Sequence, residues 1–245
     1  MQIIVATDYE DMSRKAADVI ASQVKNKPDS ILGLATGSTP IGLYAELVKD
    51  CKEGMVSFAE VESFNLDEYR GLEGTHDQSY RYFMNTNLFD HVDIDKSRTH
   101  VPDGSNPDAD AACAEYEKAI AASGGVDLQL LGLGHNGHVG FNEPADHFPV
   151  DTHVVDLTES TINANSRLFV SIDDVPRQAY TMGIGTIMKA NAILVVANGT
   201  DKAQIVADAF TGPVVPQVPA SILQLHPRVT VIVDAEAGSI IKDRL

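Results

Sequence analysis

Between Gly132 and Ala145 the chain reads Gly-Leu-Gly-His-Asn-Gly-His-Val-Gly-Phe-Asn-Glu-Pro-Ala. A packed core has no use for glycines, two imidazoles, two amides and a carboxylate in so short a stretch. Proton transfer does. Imidazoles at His135 and His138, with Glu143 beyond, are also suitable metal ligands. Against a metal, there is no HExxH helix, and glycines break any helical register. The alternative is a His–carboxylate pair in which Glu143 or Asn136 orients the ring of His138. A second reactive stretch, Asn65-Leu66-Asp67-Glu68-Tyr69-Arg70, follows an apolar run. An acid placed there and partly buried can serve as a general base. The plainer reading is local pairing, Glu68 with Arg70. A third stretch, Thr36-Gly37-Ser38-Thr39-Pro40, offers backbone N–H groups and hydroxyls that suit an anion. It lacks the Lys-Ser/Thr ending of a nucleotide P-loop and the GxGxxG spacing, so a simple capped turn competes with it. Arg167 and Lys202 are candidate cations for such an anion, although nothing in the sequence alone brings them to it. No GxSxG nucleophile elbow is present.

Each stretch needs a scaffold. Asp8 can cap a helix over 9–25, with Ala16, Val19, Ile20 and Val24 on one face. The pattern then predicts a strand at 30–35, a helix at 41–52 and a strand at 61–66. A polar loop at 67–78 leads to a helix near 79–88. An alanine-rich helix at 108–122 precedes a buried strand at 126–131 that delivers the glycine–histidine turn. Residues 151–157 read as extended and 158–180 as polar and mixed. A short helix at 185–189, a strand at 192–197, a helix at 202–209 and a strand at 229–233 complete the pattern. Strands alternating with helices predict an α/β fold, doubly wound and Rossmann-like, with a mostly parallel sheet and helices on both faces. Active sites of such folds form at the carboxyl ends of the strands, where all three stretches fall. The chain is expected to be a single catalytic domain, residues 1–245, with a lid within 144–180, its least regular part.

The bulk properties exclude whole classes. With 245 residues, 44% hydrophobic and 22% charged, the chain can bury a full core. A formal net charge of −17 argues against nucleic acid and anionic membrane as partners. No apolar run approaches the roughly 20 residues of a membrane span. Cys51 and Cys113 lie in no CxxC pair, which fits reduced thiols in a cytoplasmic setting.

Three segments converge on one resemblance. Leu34–Pro40, Phe64–Tyr69 and Gly134–Pro144 together are similar to glucosamine-6-phosphate deaminases, as are Ala164-Asn165-Ser166-Arg167 and Ser221–Pro227. The likeness runs from about residue 30 to about residue 235. It implies conversion of glucosamine 6-phosphate and water to fructose 6-phosphate and ammonia in amino-sugar catabolism, an isomerising deamination without cofactor or metal. It also implies roles. Asp67 moves the proton between C2 and C1, His138 opens the sugar ring, and Glu143 is its carboxylate partner. Phosphate rests on Gly37, Ser38 and Thr39, with Arg167 and Lys202 as its cations. Many members have Asp where this chain has Asn136, which can still orient His138 but brings no charge. A shorter branch uses Asn. The regulated hexameric branch binds N-acetylglucosamine 6-phosphate through Ser, Arg and Lys residues after the Asn-Glu-Pro segment. Asp146, His147, His153 and Val155 do not supply that set. The resemblance therefore implies a monomer or small homo-oligomer without allosteric activation. The nearest rival is 6-phosphogluconolactonase, which has a Ser-Leu-Phe-Pro type segment where Phe141-Asn142-Glu143-Pro144 stands here.

Overall fold

The computed structural model describes residues 1–166, 169 and 171–244, without the side chains of Ser160, Thr161, Ala164 and Asn165. In chain order the strands and helices are β1 (Gln2–Val5), α1 (Tyr9–Asn26), β2 (Ile31–Leu34), α2 (Ile41–Lys52), β3 (Glu62–Asn65), β4 (Asp67–Tyr69), α3 (Tyr80–Met84), β5 (Thr99–His100), α4 (Ala109–Ala122), β6 (Leu128–Gly132), β7 (His153–Asp156), α5 (Glu159–Ser166), β8 (Gln178–Thr181), α6 (Ile184–Met188), β9 (Ala192–Ala197), α7 (Ala203–Thr211) and β10 (Val229–Val233). Seven strands form one parallel sheet in the order β1-β10-β9-β6-β2-β3-β5.

Local chemistry explains most of these elements. Asp8 caps α1 by accepting the N–H of Asp11 at 2.8 Å. Met12, Ala16, Ile20 and Val24 then bury one helical stripe. Asp108 caps α4 in the same way through the N–H of Ala111. The central strands β6, β9 and β10 are nearly continuous apolar runs because both faces of the sheet are covered. Helices α1 and α2 pack against each other, and α1 lies on β9 and β10; the right-handed rule for parallel crossovers assigns α4 and α7 to the opposite face. From β2 the chain winds outward through β3 to β5. From β6 it winds the other way through β9 to β10. The winding reverses between β2 and β6, and a crevice opens there at the carboxyl ends.

Three departures from the sequence pattern matter for the site. Residues 67–78 are not all loop: Asp67–Tyr69 is β4, in a second, antiparallel sheet ordered β4-β8-β7. The mixed stretch 158–180 holds α5 and the start of β8, and within the segment expected as a lid β7 and β8 pair in that sheet. Its small core gathers Tyr69, Phe141, Leu157, Ile162, Val175 and Ala179. Finally, the helix near 79–88 is five residues of α-helix followed by a π-turn over Asn85–Phe89. These strands are three or four residues long and pair across distant sequence, so no local period announces them.

Candidate active site

At the winding reversal a cavity of about 340 Å³ is walled by the ends of four strands. Gly37, Ser38 and Thr39 come from the turn after β2, and Asp67 from the step between β3 and β4. His138 comes from the turn after β6, and Lys202 from the segment after β9. Larger grooves exist, including one of about 710 Å³ at the opposite, amino-terminal edge of the sheet. The chemistry of the walls selects the smaller one, since it gathers an acid, an imidazole, an ammonium and a helix N-terminus.

The turn 36–40 is shaped for an anion. Gly37 has φ of 110°, a conformation L side chains rarely adopt. The N-cap residue of the following helix α2, Pro40, supplies no side-chain cap, and the helix directs its positive amino end at the turn. Thr39 Oγ1 donates to Asn198 Oδ1 at 2.7 Å and ties the turn to the end of β9. Beyond it, the N–H of Gly199 donates to Asp234 Oδ1 and Oδ2 at 3.1 and 3.0 Å. These contacts fix the path that brings Lys202 to the turn. Partial burial lowers the Lys202 ammonium, against the charge of Asp201. Arg167 lies outside the described residues.

Asp67 is 6% exposed. Burial, then the charge of neighbouring Glu68, pushes its carboxyl from an ordinary 3.8 up to about 8. Glu68 does not pair with Arg70. Its Oε1 accepts the N–H groups of Tyr69 and Tyr80, and its Oε2 that of Arg81, so it anchors the start of α3. Arg70 instead donates to Gln178 Oε1 and the Pro107 carbonyl. Holding α3 there places Tyr80 in the cavity wall.

The turn after β6 presents His138. Its ring lies directly over Gly134, where a Cβ would stand 2.3 Å from ring atoms, so any side chain at 134 would displace the imidazole. His138 Nδ1 sits 3.2 Å from Glu143 Oε1, short of full hydrogen-bond alignment. Asn136 donates to Glu143 Oε2 at 2.5 Å, and its Oδ1 accepts the backbone N–H of His138 at 3.2 Å. Asn136 thus acts on the ring through Glu143 and the backbone. Burial would raise Glu143, but the nearby His138 ring, with the Asn136 hydrogen bond, outweighs it and holds the carboxyl low. His135, also in the cavity wall, faces Asp201 at 3.0 Å, and among the described residues no group of three or more His, Cys, Asp or Glu side chains could hold a metal ion.

Asn142 from the motif, with Thr181 and Met182 that no motif announced, holds this pair of turns together. Asp67 faces Thr181 across the β4–β8 ladder. Thr181 Oγ1 accepts the N–H of Phe141 at 3.0 Å, and Asn142 Nδ2 donates to the Val139 and Met182 carbonyls at 2.9 Å. Met182 N–H donates to the Leu66 carbonyl at 2.7 Å. Strand β8 therefore binds the Asp67 step and the His138 turn into one unit. Thr181 carries no local signal of that role, because it matters only once β4 and β8 pair.

Comparison with known proteins places the chain in a family. A family described as glucosamine-6-phosphate isomerases/6-phosphogluconolactonase matches residues 7–232. A glucosamine-6-phosphate deaminase of Geobacillus sp. (strain WCH70) is 55% identical over 243 residues, 99% of this chain and 97% of that protein. One from Lachnoclostridium phytofermentans is 57% identical over 232 residues, 95% of this chain and 98% of that protein. Among solved structures, a monomeric glucosamine-6-phosphate deaminase superposes with a TM-score of 0.94 at 44% identity, covering 98% of this chain and 100% of that one. A 6-phosphogluconolactonase from Trypanosoma cruzi, at 20% identity and a TM-score of 0.78 over 97% and 96% of the two chains, shares the fold. With a full-length sequence match, a common fold and the expected turns at one cavity, the chain belongs to the glucosamine-6-phosphate isomerase/6-phosphogluconolactonase family.

Proposed function

We propose that the chain converts glucosamine 6-phosphate and water into fructose 6-phosphate and ammonia. The observation that carries this reading is a buried carboxyl at about 8, Asp67, sharing one small cavity with the His138–Glu143 pair and with Lys202 at an anion-shaped turn. The phosphate binds to Gly37, Ser38 and Thr39 with Lys202 as its cation, and Arg167 joins them by family resemblance. That contact orients the sugar at a distance from the reacting carbons. His138 takes the proton of the C1 hydroxyl and returns one to the ring oxygen, while Glu143 supports the imidazolium in between. The open chain carries an aldehyde at C1, which makes the C2 hydrogen acidic. Asp67, ionised, removes that proton, and the electron pair moves onto the C1 carbonyl oxygen, which takes a proton from the substrate's own ammonium group to give an enolamine. The proton then returns to C1, the C2–N bond becomes an imine, and water hydrolyses the imine to a ketone and ammonia. A carboxyl poised near neutral pH suits an acid that must both take and return one proton.

The same reading covers regulation and assembly. His147 Nδ1 engages Asp146 at 2.6 Å, and His153 Nδ1 engages the Asp151 carbonyl at 2.9 Å. Neither position offers the Ser, Arg and Lys set of the regulated branch, which favours an enzyme that needs no N-acetylglucosamine 6-phosphate, and the likeness to a monomeric deaminase supports a monomer or small homo-oligomer. Among the described residues, no helix is long and apolar enough to cross a membrane. The test is release of ammonia and fructose 6-phosphate from glucosamine 6-phosphate with EDTA present and no effector. Equal amounts of both products are expected. No release, with hydrolysis of 6-phosphogluconolactone alongside, would overturn the proposal in favour of the lactonase branch.

A further inference from the structure

A turn that cradles an anion must offer N–H groups and turn its carbonyl oxygens aside, because each carbonyl carries partial negative charge. In this chain a residue from a different helix meets the second requirement. Tyr9, the first residue of α1, stands behind the turn. Its hydroxyl proton is shared between the Thr39 carbonyl at 3.1 Å and the Ser38 carbonyl at 3.3 Å. The same oxygen accepts the N–H of Gly42 at 2.9 Å. Helix α2 has no side-chain cap of its own, so the phenol serves as one supplied from α1. Gly42 makes the approach possible: a Cβ there would lie 2.9 Å from Tyr9 Oη and 2.5 Å from Ser13 Oγ. Tyr9 is half-buried against the main core and forms no part of the cavity wall.

We propose that Tyr9 is a positioning residue for the phosphate turn, holding the Ser38 and Thr39 carbonyls off the bound phosphomonoester and occupying the first-turn N–H of Gly42, which lies outside the cavity. The proposal rests on the phosphate reading above. It acts on binding alone, since Tyr9 reaches neither Asp67 nor His138 and touches the site only through the turn.

The experiment is Tyr9→Phe in the full chain, which keeps the ring and removes the hydroxyl. It reads KM and kcat for glucosamine 6-phosphate, the inhibition constant of inorganic phosphate, and Tm. KM and the phosphate constant are expected to rise together, about three- to tenfold, the scale of one lost hydrogen bond. The kcat is expected to stay within about twofold, a split that a general loss of structure would not produce. Gly42→Ala, which forces the phenol off the turn, should reproduce the same split. Unchanged KM and phosphate inhibition in Tyr9→Phe would overturn the proposal, as would a fall in kcat at constant KM. Lys202→Met separates the two levels of the argument. If it weakens phosphate and Tyr9→Phe does not, the role of Tyr9 alone fails. If Lys202→Met also leaves phosphate inhibition unchanged, the phosphate site itself is misplaced.

Discussion

Two carboxylates serve this cavity from opposite surroundings. Asp67 begins β4, buried beside a second acid, and its carboxyl rises to about 8. Glu143 sits in the turn after β6, where an imidazole and an amide face its two oxygens and hold it low. Both lose water; only Glu143 receives donors in exchange. One residue type, an acid, becomes a proton carrier where burial is uncompensated and a fixed counter-charge where it is compensated. The strand end supplies the first environment and the glycine-rich turn the second.

The comparison breaks first at Asp67. Asp67→Asn should lower kcat by about a thousandfold or more while leaving sugar-phosphate binding nearly intact, measured by turnover and by calorimetric titration. A matching loss of binding would make Asp67 a structural residue. The same variant tests the electrostatics by thermal melting. The folded chain holds this proton more tightly than the unfolded chain does, with a shift from 3.8 to about 8. That contribution to stability is therefore complete below about pH 4 and is lost as pH rises toward 8. Asparagine avoids the burial of charge, so the variant should melt a few degrees above the parent at pH 8, roughly the scale of 1–2 kcal/mol. The gain should vanish at pH 4.

Glu143→Gln should cost about a hundredfold in kcat with little change in KM, because the imidazolium loses its counter-charge while the amide keeps the shape. A loss below about threefold would mean that His138 needs no partner. Lys202→Met tests the other end of the cavity: KM should rise roughly tenfold or more with kcat nearly constant. An unchanged KM would remove Lys202 from the phosphate site. The smallest effect belongs to Asn136→Ala, about a threefold to tenfold loss of kcat, since this amide reaches the ring only through Glu143 and the His138 backbone. If Asn136→Ala matched Glu143→Gln, the amide would have to act on the ring directly.

How much of this was legible beforehand follows the reach of each signal. Asp8 caps its helix as local rules predict, and β6 and β9 follow apolar runs. The turn 36–40 shows its glycine and hydroxyls in sequence and keeps the expected conformation. Glu68 misled, because its partners are N–H groups from α3 that no spacing rule ties to it. Thr181 and Tyr9 were silent, being an ordinary strand threonine and an ordinary helix-start tyrosine until β8 and α2 are packed against them.

The sequence by itself determined the alternation of strands and helices, the turn chemistry at their ends and the kinds of reactive side chain, since all three are written in local period and composition. Only the tertiary structure decided that four strand ends share one cavity, that β4 leaves the main sheet to pair with β8, and that Asp67 is raised while Glu143 is lowered. Those outcomes depend on burial and on which distant groups become neighbours, and residues far apart along a chain acquire both only when it folds.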